Sequence, residues 1–266
     1  MNIRISFIIL TWNCNRYINK CIDSIIRACR TEEVAFEIII VDNYSVDGTR
    51  DIVKDYQERL PEVVVAFYLD ANKGTTFTRN IGIKKSRGKY ICILDSDAEI
   101  LSGSLTDILQ LMRNDHALGI VAPKLVLPDG QIQNSVKKFP SLLGKLAKLP
   151  KIFFGWKMPN ADFYADFPFQ KERKVDQAIS ACWFLRKEVI DCVGLLDEKI
   201  FYAPEDMEYC RRMKDFGKNI LYYPDFVVLH NTQQISHKNP FSKVSISHFW
   251  GLLHYYRKYG GWISPK

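Results

Sequence analysis

Asp95-Ser96-Asp97 stands directly after the apolar run Tyr90-Ile91-Cys92-Ile93-Leu94, so two carboxylates two residues apart emerge at a strand end. Such a pair can send one acid towards a ribose or base. The other can hold a divalent cation whose remaining positions go to water and phosphate oxygens. The alternative is a solvated turn, although a buried strand running into two acids is a poor place for idle charge. Asp42 ends the run Ile38-Ile39-Ile40-Val41 in the same way. It could accept hydrogen bonds from a nucleobase imide, or cap the turn at Asp47-Gly48. Arg79 lies in a helical pattern that Gly74 precedes; its guanidinium could grip a diphosphate in two-pronged fashion or face solvent. Glu205-Asp206 opens a stretch in which Met207, Cys210 and Met213 recur at helical spacing. Acids in a first helical turn complement the helix dipole, and one of them could also serve as a general base.

The elements that position these groups alternate along the first hundred residues. Apolar runs Ile5–Leu10, Phe36–Val41, Val63–Leu69 and Tyr90–Leu94 are separated by helical patterns over Tyr17–Cys29, Thr49–Leu60 and Thr75–Lys85. This rhythm predicts a parallel sheet covered on both faces, and such sheets bind ligands outside the carboxyl ends of their strands. The residues there are Thr11-Trp12-Asn13, Asp42-Asn43-Tyr44-Ser45, Asp70-Ala71-Asn72-Lys73-Gly74 and Asp95-Ser96-Asp97, so four strand ends converge on one cleft. The turns ahead of Thr49 and Thr75 read as helix entries, whose exposed N–H groups favour an anion. Beyond Asn114 the pattern predicts a strand over Gly119–Leu127 and a long aperiodic loop with short helices over 137–176. Order returns over Ala178–Leu185 and Lys187–Val193, followed by a helix over about 205–216, strands at Asn219–Tyr223 and Phe226–Leu229 and a last helix within 242–259.

Two other nucleotide motifs are excluded. Gly82 to Tyr90 resembles a phosphate-binding P-loop, but it has five residues between its glycines, lacks Ser or Thr after Lys89 and precedes a strand. No G-x-G-x-x-G follows the first strand.

Taken in order, Thr11-Trp12-Asn13, Val41 to Thr49, Arg79-Asn80-Ile81-Gly82, Leu94 to Asp97 and Glu205-Asp206 resemble the family 2 glycosyltransferases of GT-A fold, nearest their bacterial rhamnosyltransferase-like branch. The resemblance covers about residues 3–235. It implies a Rossmann-like, mostly parallel α/β sheet with helices on both faces and a smaller acceptor-side sheet. The expected domain is 1–236, with a nucleotide-binding half over 1–100, an acceptor half over 101–236 and a basic aromatic tail over 237–266. It further implies an inverting transfer of a sugar from a nucleotide diphosphate donor, of UDP or dTDP type, with Mn²⁺ or Mg²⁺ bridging the diphosphate. The acceptor would be a glycan or a polyprenyl-diphosphate-linked molecule in cell-surface polysaccharide synthesis. By the same resemblance Thr11, Asn13 and Asp42, with Asn43 beside them, hold the nucleotide. Arg79 faces the diphosphate, Asp95 lies near the ribose and Asp97 holds the metal. The further acid often found after the second Asp is Ala98 here, which leaves His230, after a late strand, as the second metal ligand. Asp206 is the implied base, with Glu205 orienting the acceptor and exchange of the two roles open. Trp183 could stack on an acceptor sugar or sit in the core, while His116, His237, His248 and His254 read as surface or packing residues. A nucleotidyltransferase and a non-catalytic sugar-nucleotide-binding module are the alternative readings.

Charge narrows the partners. The chain of 266 residues carries a net +7, yet 137–174 and 238–266 contribute +6 and +5, leaving a body of −4. Nucleic acid is therefore disfavoured, because its binders spread basic residues over the main fold. Lys145, Lys148 and Lys151 among leucines, and Trp250, Tyr255, Tyr256, Tyr259 and Trp262 beside Arg257 and Lys258, instead suggest peripheral contact with an anionic membrane. Packing of both segments on the body is the alternative. Seven cysteines, odd in number and without paired metal spacing, point to a reduced, cytoplasmic setting, which with the basic segments gives an expected place at the inner face of the cytoplasmic membrane. No run approaches the roughly 18 apolar residues of a membrane span.

Overall fold

The structure is a computed structural model that describes residues 3–146, 162–232 and 243–263. Its strands are β1 (Ile5–Thr11), β2 (Phe36–Asp42), β3 (Val64–Tyr68), β4 (Tyr90–Asp95), β5 (Ala98–Ser102), β6 (Leu118–Val126), β7 (Val136–Lys137), β8 (Arg173–Val175), β9 (Gln177–Ala178), β10 (Cys182–Arg186) and β11 (Asn219–His230). The helices are α1 (Ile18–Thr31), α2 (Thr49–Arg59), α3 (Thr75–Lys85), α4 (Leu105–Asn114), α5 (Leu142–Leu146), α6 (Lys187–Val193), α7 (Glu205–Asp215) and α8 (Lys243–Tyr259).

Strands run in the order β3-β2-β1-β4-β10-β6-β11-β5, with β8 pairing β11. The first four are parallel, as the apolar runs require, and β10 is antiparallel to β4. A smaller two-stranded sheet pairs β7 with β9. Helices on both faces divide the core in two. Alternate residues of each central strand enter opposite halves: Phe7, Ile38 and Cys92 pack with α1 and α4, and Ile8, Ile39 and Ile93 pack with α3, α6 and α7. In α1 the buried residues Ile18, Cys21, Ile22, Ile25 and Cys29 follow helical spacing.

Register aligns the functional strand ends. Thr11 pairs with Asp42 and Leu10 with Asp95, so three carboxyl ends lie level. β5 has no counterpart in the sequence reading; it begins right after Asp97 and runs antiparallel to β11, with Ala98 opposite His230. That pairing sets a histidine from far along the chain beside the acidic pair. The two late strands expected at 219–223 and 226–229 are a single β11 whose register shifts between Tyr223 and Val227.

The tail expected over 237–266 is not a separate appendage in its described part. Tyr255 and Tyr256 of α8 are buried in the core, and Tyr256 Oη donates to Pro140 O at 3.1 Å. Lys148, Lys151 and His237 lie outside the described residues.

Candidate functional site

A cavity of about 530 Å³ opens at the carboxyl ends of β1 and β4. Asn43, Arg79, Asp95, Asp97, Glu205, Asp206 and His230, all singled out in the sequence, line it.

Within it, Asp95, Asp97 and His230 place one ligand atom each within 4.8 Å of one another. His230 Nε2 lies 3.6 Å from Asp97 Oδ1 and 3.8 Å from Asp95 Oδ2. His230 Nδ1 is 2.8 Å from Gln133 Oε1. With that carbonyl accepting from Nδ1–H, the lone pair of Nε2 is turned towards the carboxylates, the usual way a ligating imidazole is fixed. Asn231 N donates to Asp97 O at 2.9 Å and pins the loop to the end of β11. Burial first, and then the nearby Asp95, push the Asp97 carboxyl up to about 6, against the pull of His230. Two acids crowded together with one imidazole match the donor set of a hard or borderline dication such as Mn²⁺ or Mg²⁺. The residues present therefore fit the expected metal.

Arg79 occupies the floor. The sequence offered two places for it, on a diphosphate or in solvent, and the structure shows a third. Its side chain is only 5% exposed. Nη2 donates to Asp95 Oδ1 at 2.6 Å, and Nη1 to Ser180 Oγ at 2.8 Å and Glu205 Oε1 at 3.1 Å. Ser180 Oγ donates to Glu205 Oε1 at 2.9 Å. Arg79 thus joins an acid of the metal end to an acid of α7. Burial, followed by the neighbouring Asp206, raises the Glu205 carboxyl to about 7, while Arg79 opposes the shift. Glu205 Oε1 is held in this network, and the residue also lines the cavity. Asp206, half-buried and on the cavity wall, accepts from the neighbouring amide of Met207 at 2.7 Å.

Thr11, Asn13 and Asp42 do not line the cavity. Thr11 and Asp42 are wholly buried and bonded to each other at 2.9 Å. The other Asp42 oxygen accepts from Ser45 N at 3.0 Å and Arg50 Nε at 2.6 Å. Asn13 Oδ1 accepts from Val46 N at 2.9 Å. In this structure they brace the strand ends, and their neighbours Trp12 and Asn43 reach the cavity. Asn43 in turn fixes the loop before α3, donating to Asn72 Oδ1 at 2.9 Å and accepting from Lys73 N at 2.8 Å. Gly74 ends that loop with φ +89°, and a Cβ there would lie 2.3 Å from Phe201 O, an approach that only glycine permits. Thr75 N donates to the same carbonyl at 2.6 Å, so the loop before α3 and the turn before α7 are in contact.

Trp183 belongs to the core. It is fully buried and stacks on Tyr209 with ring centroids 6.0 Å apart, so the acceptor-stacking alternative falls. Trp183→Ala is expected to lower stability by about 3–5 kcal/mol in urea unfolding. A loss under about 1 kcal/mol would contradict that placement.

Sequence reasoning missed Gln133, Ser180, Phe201, Tyr202 and His248 on the cavity wall. None stands in a pattern that marks it. His248 was read as a surface or packing residue.

Comparison with known proteins adds the lineage. Residues 6–194 match the family model described as Glycosyl transferase family 2. A Bacillus subtilis (strain 168) protein named TuaG for teichuronic acid biosynthesis is 32% identical over 127 residues, 47% of this chain and 49% of that protein. The chain spans no more than about half the length of the first curated relatives it matches. The solved structure of GalNAc-T7 with UDP, GalNAc and Mn²⁺ superposes with a TM-score of 0.71 at 14% identity, covering 96% of this chain and 48% of that one. Staphylococcus aureus TarS 1-349 in complex with UDP-GlcNAc gives 0.58 at 20% identity, covering 88% of this chain and 60% of that one. These likenesses establish the GT-A fold.

Proposed function

The chain belongs to glycosyl transferase family 2, and on that premise we propose that it transfers a sugar, with inversion, from a UDP- or dTDP-type nucleotide sugar to a hydroxyl. The acceptor in this reading is a glycan or lipid-linked molecule of cell-surface polysaccharide synthesis. The observation that carries it is one cavity holding a dication donor set, Asp95, Asp97 and His230, together with a separate carboxylate, Asp206, outside the hydrogen bonds of Arg79.

Inversion is a single displacement. The acceptor oxygen forms the new bond to the anomeric carbon as the bond to the diphosphate oxygen breaks. Asp206 takes the hydroxyl proton at its carboxylate in the same step. Arg79 holds Asp95 and Glu205 in place and so fixes the spacing between the donor end and the base. Asp95, Asp97 and His230 would hold the metal. When bound, Mn²⁺ or Mg²⁺ neutralises charge on the departing diphosphate.

The test is a thermal-shift panel of UDP-, dTDP- and GDP-sugars with and without Mn²⁺. A ligand at about 100 times its Kd adds about 2.7 kcal/mol, several degrees in Tm for a chain of this size. Metal-dependent stabilisation by a UDP- or dTDP-sugar, lost in Asp97→Ala, is the expected result. No metal-dependent shift with any of the three would undo the proposal.

The same reading places the enzyme at the inner face of the cytoplasmic membrane as a peripheral protein. Among the described residues no helix is long and apolar enough to cross a bilayer. Supporting the placement, Ile246, Phe249 and Trp250 are exposed on α8, with Leu143, Trp262 and Ile263 exposed nearby, on segments that carry the basic excess. The amide of Leu143 donates to Trp262 O at 3.0 Å, which joins the two segments. Exposed aromatics with Lys and Arg suit an anionic interface. In flotation with phosphatidylglycerol vesicles, salt-sensitive binding that Phe249→Ser with Trp250→Ser weakens is expected. Equal recovery without vesicles would rule the placement out.

A further inference from the structure

The match to the family ends at residue 194, and the sequence sets the C-terminal segment apart, yet α8 is built into the cavity. Its inward face is bonded to the elements around Asp206. His254 Nε2 and Lys258 Nζ each lie 3.0 Å from Asp197 Oδ2. Lys258 Nζ and Tyr259 Oη donate to Glu208 Oε1 at 2.9 and 2.7 Å. Glu208 is fully buried and stands two residues after Asp206 on α7. Although burial pulls the other way, the hydrogen bonds from His254 and Lys258 hold the Asp197 carboxyl well below its usual range.

One turn earlier the helix touches the turn that leads into α7. A Cβ on Gly251 would lie 2.2 Å from Ala203 O, so helix and turn meet at a distance that only glycine permits. Three residues before Gly251, on the same side of the helix, His248 reaches the cavity and lines it with Tyr202 and Asp206. The same cavity holds the Asp95–Asp97–His230 cluster, which takes the diphosphate in the reading above. In that reading the attacking hydroxyl must arrive before Asp206, in the cavity that His248 of α8 also lines.

We propose that α8 is the acceptor wall and that His248 is an acceptor-binding residue, its imidazole bonded to a hydroxyl of a polyhydroxylated acceptor, a glycan or an alditol. This rests on the glycosyltransferase reading. An imidazole suits a hydroxyl because a ring nitrogen can either donate to it or accept from it. Phe201, 42% exposed at the same cavity, offers a ring face for the apolar side of a sugar. The clamp on Asp197 and Glu208 keeps this wall fixed relative to the base, which is the preorganisation such a contact needs.

The test titrates three probes, methyl β-D-glucopyranoside, methyl N-acetyl-β-D-glucosaminide and ribitol, into the full chain saturated with UDP and Mg²⁺. Binding is read by calorimetry and by the imidazole resonances of ¹⁵N-histidine-labelled protein. The His248 signal is identified by its loss in His248→Ala. At least one probe is expected to move that signal, to bind about tenfold more weakly to His248→Ala, and to bind His248→Gln within about threefold of the native protein. UDP affinity should be unchanged in both variants, and matching Tm values exclude unfolding as the cause. Failure of all three probes to move the His248 signal, or equal probe affinity in His248→Ala, overturns the inference while leaving the donor reading intact. Failure of UDP itself to bind removes the reading on which the inference rests.

Discussion

Asp206→Asn is expected to bind a UDP- or dTDP-sugar and metal as the native protein does while losing turnover by about 10²–10⁴-fold, the usual contribution of a general base. The amide is isosteric with the carboxylate and keeps the contact with Met207 N. What disappears is the ability to take a proton. The signature is a fall in kcat with little change in the donor KM. Glu205→Gln is the discriminating companion. Glu205 sits in the Arg79–Ser180 network, so its replacement should show mainly as lost stability. A native turnover in Asp206→Asn, or a larger loss of turnover in Glu205→Gln at equal stability, would reassign the base.

The sequence displays the scaffold of this site more readily than its wiring. Runs such as Ile38 to Val41 must be buried on both faces, so strand positions and the polar residues at their ends can be read directly. The acidic pair at Asp95 and Asp97 is legible for the same reason. Its partnership with His230 follows from the resemblance, whereas the geometric cause is β5, a five-residue strand too short to announce itself. Orientation at the strand ends is not legible, because a polar residue there can face the cleft or a neighbouring strand. Thr11 and Asp42 choose each other. Trp183 illustrates the period-two problem: its neighbour Cys182 packs in one core and Trp183 in the other, and both residue types suit either. His248 owes its place to the close seat of Gly251, a contact between segments nearly fifty residues apart that no local pattern encodes.

Arg79→Met is expected to be strongly destabilising, and its cost should grow as the pH rises above about 7. Methionine fills much of the same volume but leaves Glu205, 10% exposed, and Asp95, 32% exposed, facing each other's field without a counter-charge. Breaking a buried pair by removing one partner costs about 3–5 kcal/mol. Glu205 has an escape, since burial has already raised its carboxyl to about 7 with Arg79 in place. Without Arg79 that value rises further, and the folded variant holds a proton that the unfolded chain releases near the ordinary Glu value of about 4.3. A folded state that binds more protons loses stability as pH rises, by at most about 1.4 kcal/mol per pH unit for one group. Because native Glu205 is itself protonated below about 7, the deficit against the native protein grows only above that pH, where the native group ionises and the variant's does not, and is larger at about pH 8 than at about pH 5.5 by at most about 1.4 kcal/mol. Urea unfolding at the two pH values measures it. A deficit equal at both, or under about 1 kcal/mol at the higher pH, would show that Arg79 is not the counter-charge on which the two acids depend. The same substitution should also weaken metal-dependent binding of the nucleotide sugar, because Asp95 loses the bond that fixes its orientation beside Asp97 and His230.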